Sequence, residues 1–269
     1  MSQETYQLAG RAAALYEAQK VPAIFAPLAA ATLDAIKPTR DDTILDVACG
    51  TGIVARLARR RLGPGPRIVG ADLNDGMVAT ARALPEEEAR SCEWQVADVT
   101  ALPFPDDAFT LAICQQGIQF FPDPLAALLE ICRVVRPGGR VVLTVWAGVS
   151  PFFAALADAL GRHVSEETGR RSLAPFAFDG VDRLASAMAE FGCTDIAVSE
   201  LSVDRHIAEA ETAIPREILA NPVGPAVEAR GDTVMRQIVA DTLRDLSDYR
   251  SGTGLVVPQR SYLLQARVH

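Results

Sequence analysis

Ile44-Leu-Asp-Val-Ala-Cys-Gly-Thr-Gly-Ile-Val-Ala-Arg-Leu-Ala58 decides the fold. Ile44, Leu45 and Val47 read as a short buried strand, and Ile53, Val54, Leu57 and Ala58 as the apolar face of a helix. Between them Gly50 and Gly52 mark a tight turn, where residues without Cβ atoms accept unusual dihedrals and let a ligand approach the main chain. Asp46 stands four residues before Gly50. An acid at a nucleotide-type turn favours a ligand that carries positive charge.

Further along, the same alternation repeats. Strands are predicted over 44–48, 67–72, 93–97, 110–114 and 140–146, with helices over 53–61, 75–83 and 124–135. Asp123-Pro124 suits a helix start, and Arg136-Pro-Gly-Gly139 reads as the turn into the next strand. The expected fold is α/β: a doubly wound, mostly parallel sheet with helices on both faces and ligands at the carboxyl ends of its strands. The flanks read differently. Residues 5–37 are alanine-rich and helical in pattern, 148–192 suggest two helices around a loop at 168–180, and 196–204 alternates like a strand. Helices are expected near 211–220 and 226–246, with a last strand over 262–268. With no repeat or linker in view, the chain reads as one domain, 1–269. It comprises a helical N-terminal cover (1–40), a core (41–147), a variable insert (148–192) and a C-terminal part of the sheet (193–269).

Gly50-x-Gly52-x-x-Ala55 also satisfies a dinucleotide pattern, in which a pyrophosphate rests on the helix N-terminus. Asp46, with no nearby cation, makes a doubly anionic pyrophosphate unwelcome and favours a sulfonium and an ammonium. Acids recur at the next two strand tips. Asp72, about 20 residues beyond Gly52, is placed to accept two ribose hydroxyls. Asp98 is placed to accept from an adenine amino group, with Ala97 and Val99 enclosing the ring and Leu73 and Met77 offering apolar surface to its other face. In order and spacing, Leu45-Asp-Val-Ala-Cys-Gly-Thr-Gly52, Gly70-Ala-Asp72, Ala97-Asp98, Leu102-Pro-Phe104 and Arg136-Pro-Gly-Gly139 resemble the class I S-adenosylmethionine-dependent methyltransferases. The likeness is to the broad group that includes the quinone-biosynthesis C-methyltransferases. The resemblance covers about residues 40–147. It departs at Ala48, where the family usually has its first glycine. It implies a seven-stranded Rossmann-like sheet with an antiparallel last strand, S-adenosylmethionine as cofactor with S-adenosylhomocysteine as product, and cofactor contacts from Asp46, Ala48, Gly50, Gly52, Asp72, Leu73, Met77, Ala97, Asp98, Val99, Gln115 and Tyr16.

The acceptor side is less legible. Strand 4 runs into Gln115, Gln116 and Gln119, neutral groups that suit positioning better than proton removal. Candidate bases are few: His163, His206 and the terminal His269, with Gln116 a weak catalytic candidate. Tyr6, Tyr16 and Phe25 are expected in a lid over the cofactor. Phe120 and Phe121 are expected as core or pocket wall, and Cys49 as a small side chain in the turn. Pro151-Phe-Phe153 and Leu173-Ala-Pro-Phe-Ala-Phe178 suggest apolar pocket walls, hence a small hydrophobic or aromatic acceptor. Two alternatives remain open: a cofactor-binding protein without methyl transfer, and an NAD(P)-dependent oxidoreductase.

A net charge of −8 argues against a phosphate-backbone partner, so no nucleic acid is expected. The one basic run, Arg56 with Arg59, Arg60 and Arg61, reads as a solvated helix face. Five scattered cysteines without a Cys-x-x-Cys pair suggest no disulfide framework, no zinc and a reducing cytoplasm. No carboxylate cluster is spaced for a metal. The longest apolar run, 21–33, is short and broken by Pro22 and Pro27, so no membrane span is expected. A monomer or homodimer is expected.

Overall fold

A computed structural model describes residues 10–85 and 87–269. Its sheet contains β1 (Ile44–Val47), β2 (Ile68–Asp72), β3 (Glu93–Val96), β4 (Phe109–Gln115), β5 (Val135–Trp146), β6 (Thr194–Ile207), β7 (Arg250–Ser251) and β8 (Gly254–Arg267). The order is β3-β2-β1-β4-β5-β8-β6, with the two-residue β7 pairing β8. From β3 to β5 neighbours are parallel, with Asp46 level with Gly70 on one side and Ile113 on the other. β8 runs against β5: Gly138 and Val268 meet at one end and Ala147 and Arg260 at the other. The strand order reverses between β1 and β4, the place where such sheets open a crevice at their carboxyl edge. The fold is the mostly parallel α/β sheet that the alternating pattern predicts.

Packing divides the chain into two compact units. The first comprises 1–145, 178–201 and 261–269, the second 146–177 and 202–260. No linker separates them, which is why the sequence reads as one domain. In the first unit, one apolar cluster gathers Leu45, Val47, Phe109 and Leu128, and another gathers Ile44, Val54, Leu111 and Ile113. Neighbouring strand residues thus point to opposite faces, as the two-residue period requires. In the second unit Phe152, Phe153, Ile214, Ile238 and Val257 form a core of their own.

Several local expectations are corrected. The N-terminal segment is wound as a wide π-helix over Tyr16–Phe25 between α-helices Arg11–Leu15 and Ala26–Ile36. Pro22 lies inside it, and its missing N–H and bulky ring conflict with regular α winding. Arg136-Pro-Gly-Gly139 does not precede β5 but loops out of it: Phe109 pairs with Val135 and Leu111 with Arg140. Glu166–Ser172 is a helix where a loop is expected. Ser165 caps it by accepting the Thr168 N–H, and a Cβ on Gly169 would come within 2.5 Å of the Ala157 carbonyl oxygen. The helix expected over 226–246 is two, Gly224–Glu228 and Asp232–Asp245, parted at Gly231 with φ +82°.

The arginine run is not a solvated face. Arg56 and Arg59 are buried. Arg56 pairs with Glu17 at 2.7 Å, while Arg59 donates to the carbonyls of Gly63, Pro66 and Ser91. Arg61 pairs with Asp34. The run therefore ties the Ile53–Leu62 helix to its surroundings. No helix among the described residues is long and apolar enough to cross a membrane.

Candidate functional site

At the carboxyl end of β1 the chain bends through Ala48, Gly50 and Gly52, with φ +53°, +56° and +82°. Ala48 thus takes a conformation that costs a Cβ-bearing residue about 1–2 kcal/mol. Its methyl group lies where Gly117 leaves room, since a Cβ on Gly117 would come within 2.7 Å of it. Beneath the turn, Asp46 is 1% exposed and accepts the Ala55 N–H at 3.0 Å. Burial raises its pKa to about 7, against the lowering effect of that bond.

Asp72, at the tip of β2, is bound to the same turn. Its Oδ2 accepts the Gly50 N–H at 2.7 Å and its Oδ1 the Asn74 N–H at 2.8 Å. Burial raises this carboxyl group as well, and the two N–H donors counter it. A carboxylate offers about four lone-pair positions, so two remain for hydroxyl donors. Asn74 in turn accepts the Met77 N–H and caps the Asp75–Ala83 helix. At the tip of β3, Asp98 is exposed, and its Oδ1 accepts from the N–H and hydroxyl of Thr100.

A cavity of about 240 Å³ opens at these strand tips. Its lining includes Ala48, Asp72, Leu73, Ala97, Asp98 and Val99. Phe121, expected as core or pocket wall, lines it too, as do Val47, Ala71, Thr100, Leu102, Pro122 and Asp123, none of which reads from the sequence as a cofactor contact. Their signals were present but pointed elsewhere. Asp123 reads as a helix cap, which it is (it accepts the Leu125 and Ala126 N–H groups), and Val47 as a buried strand residue.

The remaining candidates lie outside that lining. Gly50 faces Tyr16: an added Cβ would sit 3.9 Å from the Tyr16 hydroxyl. Tyr16 stacks on Phe25 with ring centroids 5.3 Å apart, and burial pushes its hydroxyl pKa upward. Tyr6 lies outside the described residues. Gly52 is not open to a ligand on its Cβ side. A Cβ there would meet the Trp94 ring at 2.0 Å, and one on Gly70 would meet it at 2.4 Å. Met77 is buried in the capped helix rather than on the cavity wall. Gln115 donates to the Phe25 carbonyl at 3.2 Å, and Gln116, with φ +55°, donates to the Ser261 hydroxyl at 3.0 Å. The Oε1 atoms of both glutamines, the Thr51 hydroxyl and Glu17 Oε2 are buried without a partner.

The histidines fall elsewhere. His163 belongs to the second unit and places Nε2 2.9 Å from Asp241 Oδ2. His206 is exposed and lies within β6, which runs to Ile207 rather than ending near 204. Among the described residues no three His, Cys, Asp or Glu side chains gather to hold a metal ion.

Comparison with known proteins concerns the chain that carries this geometry. Residues 45–143 match a family described as "Methyltransferase domain". That stretch, from β1 into β5, is similar to the class I S-adenosylmethionine-dependent methyltransferases. It is 43% identical over 100 residues to a demethylmenaquinone methyltransferase of Thermus thermophilus, covering 37% of this chain and 45% of that one. To a nocamycin O-methyltransferase of Saccharothrix syringae it is 29% identical over 258 residues, covering 90% of each. The match to the Thermus relative thus spans less than half of that protein's length. The fold of this chain is also that of a putative methyltransferase from Bacillus halodurans, at TM-score 0.55 and 19% identity over 89% of this chain and 97% of that one. A structure titled as the [4+2]-cyclase SpnF is similar too, at TM-score 0.53 and 20% identity over 90% of this chain and 80% of that one. At such identities the likeness concerns fold alone.

The residues at the strand tips fit S-adenosylmethionine. Asp72 has acceptor capacity to spare for a ribose, and Ala97, Val99 and Leu73 supply apolar walls suited to a purine. Asp46, buried, and Asp72, partly buried, carry raised pKa values that a cationic ligand would relieve.

Proposed function

We propose that this chain moves a methyl group from S-adenosylmethionine directly to a small, hydrophobic or aromatic organic acceptor, in the cytoplasm. The observation that carries the reading is the strand-tip cavity, where Asp72 and Asp98 flank an apolar wall beside a turn that buries a second acid, Asp46. When bound, S-adenosylmethionine supplies an activated methyl group on a sulfonium. In this reading Asp72 grips the ribose and Asp98 the adenine amino group, while the negative field of Asp46 and Asp72 favours the cation. Holding donor and acceptor in line supplies about 7–11 kcal/mol of barrier reduction in such transfers. Gln115 and Gln116 are neutral and suit orientation rather than proton removal; His163 and His206 stay as weaker candidates for a base, where the acceptor needs one. The names of the relatives, a demethylmenaquinone methyltransferase and a nocamycin O-methyltransferase, support a small organic acceptor. The five free thiols suit a reducing compartment.

Isothermal titration with S-adenosylmethionine, S-adenosylhomocysteine and NAD+ tests the cofactor half. Tight binding of the first two and none of the third is expected, and the reverse would support the oxidoreductase alternative. A panel of labelled-methyl assays tests the acceptor half. Label entering only polar acceptors or proteins would refute the acceptor class. Cofactor binding with no S-adenosylhomocysteine released by any acceptor would favour a silent binding protein.

A further inference from the structure

In the first unit the structure brings together two thiols that the cofactor cavity does not use. Cys132 lies in the Pro124–Val134 helix and Cys193 just ahead of β6. Separated by 61 residues, their Sγ atoms approach to 3.8 Å. Both are free, and each is 7% exposed. The Cys193 N–H donates to the Met188 carbonyl at 2.9 Å, which fixes the turn after the Val181–Glu190 helix. On that turn Gly192 is exposed, with open space where a side chain would stand, and Thr194 is exposed on the other side. Cys193 thus lies directly beneath the surface, with the Cys132 sulfur beside it. A disulfide has sulfurs about 2.0 Å apart, so the pair must close by about 1.8 Å.

We propose that Cys132 and Cys193 form a reversible disulfide when the protein meets hydrogen peroxide. The Cys193 thiolate attacks one peroxide oxygen, the O–O bond breaks, and hydroxide leaves, taking a proton to become water. Cys193 is now a sulfenic acid. Cys132 sulfur then attacks the Cys193 sulfur; the S–O bond breaks, the S–S bond forms and a second water departs with the Cys132 proton. Two thiols are oxidised and one peroxide is reduced. The environment favours this order. The hydrogen bond between the two sulfurs pushes the Cys193 thiol down and the Cys132 thiol up. Cys49, Cys92 and Cys114 are instead raised, chiefly by burial, and stay unreactive thiols.

The test needs no methyl acceptor and is independent of the methyl-transfer reading. The full chain is treated with hydrogen peroxide at pH 7.5, quenched with catalase, denatured, alkylated with a maleimide and mapped by mass spectrometry. Three alkylated cysteines instead of five, a loss of about 2 Da before alkylation and a Cys132–Cys193 linked peptide that dithiothreitol releases are expected. In Cys132→Ser, dimedone should trap a sulfenic acid on Cys193, and Cys193→Ser should keep all its remaining thiols alkylatable. Peptide mapping of the unsubstituted chain decides the matter even where a variant folds poorly. Five alkylatable thiols after treatment, a link between other cysteines, or direct passage of Cys193 to the sulfinic acid would overturn the proposal.

Discussion

Asp46 shows how a single side chain sets the site's response to pH. Its folded pKa of about 7 lies above the ordinary carboxyl value of 3.8. Folding therefore takes up a proton between those limits. The stability this group confers is complete below about pH 3.8 and is lost as pH rises through about 7. A cation bound nearby pulls the same pKa down, so S-adenosylmethionine binding at pH 7 should release a fraction of a proton. Titrations in buffers of different ionisation enthalpy read that release directly, and affinity should rise through pH 7 and then level. In Asp46→Asn the Ala55 N–H keeps an acceptor while the charge is gone. The cofactor-free protein should gain stability at pH 8 in thermal melts, yet bind S-adenosylmethionine more weakly and without the proton release. Asp72 acts differently, since its carboxylate also anchors Gly50 and Asn74. Asp72→Ala should weaken cofactor binding by about 1–3 kcal/mol in calorimetry. An unchanged dissociation constant would dissociate Asp72 from the ribose.

Among the elements, the turn after β1 depends on a neighbour that its own sequence does not announce. Trp94 of β3 covers both Gly52 and Gly70, and its indole N–H donates to the Ala89 carbonyl at 2.8 Å. Gly52→Ala would place a methyl group inside that ring at a positive φ. A destabilisation of at least about 1–3 kcal/mol is expected in urea unfolding. Trp94→Ala in the same chain should recover part of that loss, because the obstructing ring is gone; strict additivity of the two would refute the clamp. This element also marks what the sequence shows and what it withholds. The strand-turn-helix at 44–58 is legible because its apolar periodicity and glycines are local. The acids at 72 and 98 are legible because they end strands at the carboxyl edge. Arg56 and Arg59 are misread as a solvated face because their partners, Glu17 and the Ser91 carbonyl among them, come from remote parts of the chain. For the same reason Gly52, a residue of the turn, carries no sign of the ring that fills its Cβ side. Pro22 signals a disturbed helix, but only the packed structure shows it resolved as a π-helix rather than a break.

For the molecule as a whole, ligand binding and stability are linked. Cofactor at about 100 times its dissociation constant adds about 2.7 kcal/mol. For a chain of this size that corresponds to a rise of about 5–11 °C in the unfolding midpoint. The two tryptophans fall in different units, Trp94 in the first and Trp146 in the second. A Trp146→Phe chain therefore reports on the first unit alone, and its fluorescence melt should move upward with S-adenosylmethionine and stay still with NAD+. The long strands β6 and β8 each begin in one unit and finish in the other. Neither unit is accordingly a cassette that a gene can pass on intact. Excising the recognisable stretch 45–143 strips β8 from the flank of β5 and leaves a bare hydrogen-bonding edge, so that such a fragment should precipitate on expression.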